Sequence, residues 1–411
     1  MPEKHETLIL ESEGFDTKPF TPLSPDFLTN PYPFYHHLRS KDPIQWVSSI
    51  KEKGWFVTGY KEASTVLKDS RFKTRIPLPQ NSKAYEQLTS VQKNMMLFKN
   101  PPDHNRLRSL VSKAFTPRVI GDLRPYIEET VNQLLDNVQD TGRMDIISDL
   151  AFPLPGTIIA GILGVPIDDR QQFKEWSTIL IRTIDLTRTE KVLHSGSDVA
   201  LKLTDYFRNL IKQRMQHPQN DLISTLIKEE EQGSKLNEDE LLATCILLLI
   251  AGHETTVNLI GNGVLSLLKH PEQLKKLKED PSLIHSAVEE LLRYESPTQM
   301  TARFAAEDIE IGGKFIRKGH QVYILLGAAN RDPEHFSNPD QLDITRTPNQ
   351  HLAFGAGAHF CLGASLARLE AQIAINALLQ RIPNLQLEAD ILEWRRLVGF
   401  RALKSLPVSY I

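Results

Sequence analysis

HLAFGAGAHFCLGASLARLE, residues 351–370, decides how this chain is read. It places Cys361, one of two cysteines in 411 residues, where a glycine-punctuated loop runs into a helix. Gly355 and Gly357 let the backbone approach a partner closely, and the free N–H groups of a helix start stabilise a thiolate. A thiol so placed is a nucleophile, a redox sensor or a metal ligand; a plain buried cysteine packed as a small hydrophobe fits as well. Phe360 stands where a dinucleotide fingerprint needs its third glycine, and only His359 is near enough to help build a zinc site. Spacing alone does not choose among the remaining readings.

Composition narrows the class. Apolar residues are 40% and charged residues 24%, the balance of a globular protein. Lys plus Arg total 48 against 51 Asp plus Glu, which argues against nucleic acid as the main partner. The first 30 residues lack the basic start and apolar core of a leader, and the longest apolar run, Cys245–Ala251, is too short to cross a bilayer. With no disulfide framework, a cytoplasmic protein without membrane insertion is expected.

Apolar spacing predicts helices over most of 102–278, among them 117–138, and a further helix over 362–380. Asn237–His270 opens with an N-cap Asn and early acids and closes with Lys-His, giving a helix of about 50 Å. It is apolar nearly all round through Leu249, so it runs through the middle of the molecule. GWFVTGY (54–60), DIEIGG (308–313) and HQVYILL (320–326) read as strands, and 76–93 reads as a long surface loop. Strands alternate too rarely for a doubly wound sheet, so the chain is mainly α with a minor β region.

FGAGAHFCLG (354–363) resembles the haem-binding signature of the cytochrome P-450 family, in which the cysteine is the axial ligand of haem iron. Phe354, Gly355, Gly357, His359, Cys361 and Gly363 fall on that pattern, as does the LARLE that follows. The likeness extends from NPYPFY (30–35) to LPVSY (406–410). It implies the P-450 fold as a single large domain over 1–411 without a fused reductase, with haem b as cofactor and Cys361 on the iron. A thiolate ligand there pushes electron density onto iron.

Other motifs follow in order. AGHETT (251–256) is not a zinc-protease site, because residue 257 is valine. Gly252 costs a helix about 1 kcal/mol relative to Ala and permits a kink or a close ligand. Thr255 bonding back to a carbonyl one turn earlier, with Glu254 merely solvated, is the plain alternative. The resemblance puts Glu254 and Thr255 on the proton route and Ala251 against haem. EELLRYESP (289–297) carries Glu290 and Arg293 at i,i+3 spacing, ordinarily a solvated pair. By resemblance Arg346 completes them into a structural triad that holds the haem loop. In PPDHNRLRSLVSKAF (101–115), His104 and Arg108 share a helix face. The family pattern gives these two, with Arg303 and His359, to the haem propionates, as charge-assisted bonds. Nearby Arg106, Lys113 and Arg118 would steer an acidic electron donor.

The resemblance implies a monomeric monooxygenase that inserts one oxygen atom from O2 into a small apolar substrate. Electrons would come from a separate ferredoxin or flavodoxin with its reductase. From another class, a haem-thiolate gas sensor or electron carrier would need neither Thr255 nor a substrate cavity. The pocket wall would be Met95, Met96, Leu97, Leu248, Met300 and Phe400, apolar and rich in adaptable methionine. MMLF, AGHETTVNLI, ESPTQMTAR and GFRAL are similar to family members that cleave fatty acyl chains and to members that tailor polyketides. The expected substrate is therefore a long-chain fatty acyl group, free or on an acyl carrier protein, with polyketides, steroids or terpenoids as alternatives.

Overall fold

The helix expected over Asn237–His270 is the axis of the molecule. The computed structural model, which describes residues 23–47, 53–78, 83–231, 236–389 and 391–410, shows it as Glu238–Lys269. Its start is a capping box: Asn237 Oδ1 accepts the Glu240 N–H at 2.9 Å, and Glu240 Oε2 accepts the Asn237 N–H at 3.2 Å. Helices Glu86–Asn94, Pro153–Ile162, Arg170–Ile184, Glu190–Gln216, Ile284–Tyr294 and Ala364–Arg381 all pack on it. Over a longer window than Cys245–Ala251 this helix is long and apolar enough to cross a membrane, but 83% of that window is buried in the protein. It is a core helix, apolar because other helices surround it.

Two expected elements differ. The 117–138 helix is broken into Pro117–Asp122 and Arg124–Asp136. Pro125 cannot donate to the carbonyl a turn earlier, so a new helix starts around it. The 76–93 segment is not all loop, since residues 86–94 form a helix that buries Leu88 and Val91. Residues 79–82 lie outside the described ones.

Ten strands are present among the described residues: β1 (Ile44–Val47), β2 (Gly54–Val57), β3 (Phe72–Lys73), β4 (Arg143–Asp145), β5 (Met300–Ala305), β6 (Ile309–Ile311), β7 (Lys314–Ile316), β8 (Gln321–Leu325), β9 (Gln386–Leu387) and β10 (Pro407–Ser409). They form a five-stranded sheet in the order β1-β2-β8-β5-β3, a three-stranded sheet β4-β10-β9 and the hairpin β6-β7. The strand read over 54–60 stops at Val57. Ala63, Val66 and Leu67 then bury one face of the helix Tyr60–Lys68, and the period changes from two to three and four. β5 pairs antiparallel with β8, Arg303 opposite Val322, which fixes where that arginine enters the interior. The fold is mainly α with a minor β region, as expected.

Replacing Asn237 by Ala removes the cap and should cost about 1 kcal/mol of unfolding free energy. Urea denaturation should show a lower midpoint with an unchanged slope.

Candidate active site around Cys361

The loop 354–363 is closed by its own backbone. Gly355 N–H donates to Leu352 O at 2.8 Å, and Cys361 N–H donates to Phe354 O at 2.9 Å. Gly355 and Gly357 have φ of 69° and 71°, which a side chain resists. The close approach at Gly357 is to the protein itself: a Cβ there would lie 2.5 Å from the Leu67 carbonyl oxygen. A Cβ on Gly363 would meet nothing within 4 Å, so this part of the loop has open space beside it. The helix begins at Ala364, two residues later than the sequence suggests, with Gly363 as its N-cap. Burial pushes the Cys361 thiol up, while the Gly363 amide, Arg108 and Arg368 pull it down.

His104, Arg108, Arg303 and His359 come together as the sequence predicts. The rings of His104 and His359 lie 4.1 Å apart, and Arg108 Nη2 donates to Phe360 O at 2.7 Å. Arg303 is only 7% exposed and donates to Ala302 O at 2.8 Å. Among the described residues none of the four pairs with a carboxylate. Burial lowers Arg303 to about 10. Burial, with Arg303, His104 and Arg108 adding repulsion, lowers His359 to about 3. A buried Arg303 and a half-buried Arg108, neither with a carboxylate partner among the described residues, suit an anionic group.

The central helix has one open stretch at mid-length. Ala251 is exposed and Gly252 and Thr255 are half-buried, although 245–250 and 256–267 are buried. Gly252 seats against Ile159, 3.1 Å from where its Cβ would be, so it serves helix packing. Thr255 does bond back, donating to Ala251 O at 2.9 Å. Glu254 is not solvated: it is fully buried and ion-paired with Arg395, a residue the sequence did not single out.

Glu290 is not a surface partner either. It is fully buried and accepts from Arg293 Nε at 2.7 Å, Arg346 Nε at 3.1 Å, Asn349 Nδ2 at 3.1 Å and the Asp343 N–H at 2.9 Å. Its neighbour Glu289 was missed by the sequence reading. It accepts from Arg368 Nε at 2.6 Å and contacts His351 Nε2 at 3.2 Å, joining the helix Ile284–Tyr294 to both ends of the cysteine loop. Arg368 also lies over the Phe354 ring, 4.6 Å from its centre. Burial alone would raise Glu289, but His351 and Arg368 outweigh it and hold the carboxyl at about 2.

The expected pocket residues divide. Met95, Met96 and Leu248 are buried in the main core, whereas Leu97 is 39% exposed and Met300 and Phe400 are half-buried. A Thr298–Phe400 bridge holds Phe400 beside the segment that carries Met300. Arg106 is not a free steering charge, because Glu240 takes both its terminal nitrogens, at 2.5 and 3.0 Å. Lys113 and Arg118 are exposed. Cys245 is buried and free.

A thiol on a glycine loop with open space beside it, next to cations awaiting a dianion, is the donor set of a haem-thiolate protein. The two propionates suit the cations, and the thiol suits the iron. Residues 23–384 match the pattern of the Cytochrome P450 family, and the chain belongs to that family. It is a monooxygenase with haem as its cofactor, and it works with O2 and redox partners. The chain is 60% identical over 387 residues to the biotin biosynthesis cytochrome P450 of Bacillus subtilis (strain 168), covering 94% of this chain and 98% of that one. It is 42% identical to the polyketide biosynthesis cytochrome P450 PksS of the same organism, over 95% and 98% of the two chains. The crystal structure of P450BioI in complex with acyl carrier protein ligated with hexadec-9Z-enoic acid superposes with a TM-score of 0.91 at 60% identity, covering 94% of this chain and 99% of that one.

Gly357→Ala would drive a methyl group into the Leu67 carbonyl and should lower the haem content of purified protein several-fold. Gly355→Ala, strained only by its φ, should cost about 1 kcal/mol and keep its haem; the haem-to-protein absorbance ratio separates the two. Glu289 predicts a pH effect. Its carboxyl is depressed on folding, so its contribution is full above its unfolded value of about 4.3 and is lost as pH falls towards 2. The stability difference between wild type and Glu289→Gln, from urea unfolding, should be constant above about pH 5 and shrink below it.

Proposed function

We propose that this enzyme oxidises long-chain fatty acyl groups, presented as the free acid or on an acyl carrier protein. The observation that carries this reading is the 60% identity, over nearly the whole chain, to a biotin biosynthesis cytochrome P450 and to a P450 crystallised with a hexadecenoyl carrier protein. The polyketide relative, at 42%, is the second reading.

The residues divide the work. Cys361 binds the iron, with the Gly363 amide and Arg108 supporting negative charge on its sulfur. His104, Arg108, Arg303 and His359 hold the propionates. Phe354, Gly355, Gly363 and Ala251 would pack against the haem. When bound, haem supplies the iron chemistry that activates O2 for insertion of one oxygen atom. Glu290, Arg293 and Arg346 fix the approach to the loop, and Glu289 fixes its two ends. Thr255 donates its proton to Ala251 O, so its lone pairs accept a bond while its proton is held. It passes that proton on only after the hydroxyl rotates, and Glu254 on the adjoining position replenishes it. A positioned proton donor of this kind is typically worth about 10²- to 10⁴-fold.

Leu97, Met300 and Phe400 give the substrate an apolar wall, with Met95, Met96 and Leu248 behind it as packing. Each buried methylene contributes about 0.8 kcal/mol, so an alkyl chain binds without a charged partner. A ferredoxin or flavodoxin with its reductase supplies electrons to a monomeric, cytoplasmic, single-domain enzyme, and the exposed Arg118 is a steering charge.

Titrating saturated fatty acids from eight to sixteen carbons while following the haem spin-state shift tests the substrate. Affinity should rise up to about fourfold per methylene until the pocket is filled. A flat response, alongside a strong shift with a macrolide, would favour the polyketide reading.

A further inference from the structure

Glu254 carries an asymmetry. Its Oε1 accepts from Arg395 Nη1 and from Asn258 Nδ2, the latter at 3.3 Å, while the equally buried Oε2 has no hydrogen-bond partner among the described residues. Arg395 approaches from the C-terminal turn bounded by the Trp394–Leu403 bridge, 141 residues further along the chain. That turn is fastened on several sides. Arg395 N–H donates to Ala402 O at 2.8 Å, and Asp185 accepts the Val398 and Gly399 N–H groups at 3.3 and 2.8 Å. Thr187 Oγ1 donates to Arg396 O at 3.2 Å, and Arg401 donates to Glu295 Oε1 at 2.8 Å while lying 3.2 Å from the centre of the Trp394 ring. The guanidinium therefore reaches Glu254 from an anchored backbone and engages one carboxylate oxygen only.

We propose that Arg395 is a positioning residue for proton delivery: it fixes Glu254 by Oε1 and leaves Oε2 unbonded, as the oxygen that carries a proton towards Thr255 once the two side chains turn to meet. This rests on the reading of Glu254 and Thr255 as the proton route. A buried carboxylate without its cation changes its rotamer or its protonation, because the charge is no longer compensated. The Asn258 amide alone, a neutral donor, is too weak to replace a charge-assisted bond.

The test uses haem-loaded enzyme with hexadecanoic acid, NADPH and a surrogate ferredoxin and reductase, and compares Glu254→Gln, Arg395→Gln, Arg395→Lys and the Glu254→Gln/Arg395→Gln double variant. Arg395→Gln should lower product per NADPH on the order of tenfold, with the difference released as peroxide, and should change the solvent deuterium isotope effect on product formation. The dissociation constant from the spin-state shift should stay within about twofold of wild type, whereas Arg395→Lys should recover most of the coupling. The double variant should match Glu254→Gln. The Glu254 carboxylate stretch, taken from the infrared difference between wild type and Glu254→Gln, should shift in Arg395→Lys. If Arg395→Gln does not fold, the lysine variant and the double variant, which leaves no unpaired carboxylate, carry the test. Unchanged coupling and isotope effect in Arg395→Gln, beside an uncoupled Glu254→Gln, would overturn this proposal alone. A further loss when Arg395→Gln is added to Glu254→Gln would overturn it too. Unchanged coupling in Glu254→Gln would remove the proton-route reading and this proposal together.

Discussion

Two arginines meet on the buried carboxylate of Glu290, and the geometry around Cys361 depends on that meeting. Arg293 comes from the same helix, but its other bonds go to the carbonyls of Asn330, Pro339 and Gln341. Arg346 adds bonds to the carbonyls of Ser337 and Asn338. One acid thus organises an irregular stretch of chain that has no sheet or helix to satisfy its carbonyls. The charge is affordable only because every partner is in place; removing any one would leave a buried ion exposed to a low dielectric. Glu289, one position earlier, faces the other way and secures His351 and Arg368. Adjacent carboxylates on one helix therefore hold the run-up to the cysteine loop and the helix that follows it.

Opposite demands shape the central helix. Its apolar sides bury it among other helices, yet at mid-length it exposes Ala251 and carries a buried carboxylate next in sequence to a half-buried hydroxyl. The sequence meets this with small residues: Gly252 lets Ile159 pack close, and Ala251 presents only a methyl group on the exposed stretch. The buried charge of Glu254 is compensated from the far end of the chain by Arg395, so this interruption of an apolar helix is stable only in the completed fold.

Much of this was legible in the sequence where a local rule and the tertiary structure agree. The capping box at Asn237, the apolar length after it and the glycine loop each announce themselves within a few residues. Motif resemblance located the cations and the Glu290 triad, whose members lie up to 56 residues apart. The reading failed where a partner is remote or a break is subtle. Pro125 divided a helix that apolar spacing had joined, and the helix at 86–94 hid in a polar segment with only Leu88 and Val91 to signal it. Glu289 goes unremarked in the sequence and Arg106 reads as a steering charge, because Arg368 and Glu240 that bind them come from other helices. Nothing near Arg395 in sequence points to Glu254.

The contact of Gly357 with the Leu67 carbonyl has a consequence for biosynthesis. The seat of the cysteine loop is the end of the helix Tyr60–Lys68, which leaves the ribosome about 290 residues before the loop that rests on it. At about 5–20 residues per second this is a wait of roughly 15–60 s. His104 follows early in that wait, Arg303 comes only near its end, and Cys361 and Arg395 come after it. The parts of the cofactor site are thus made late and far apart along the polypeptide, and a ribosome that stalls between the codons of Arg303 and Cys361 leaves the helical body without the cysteine loop.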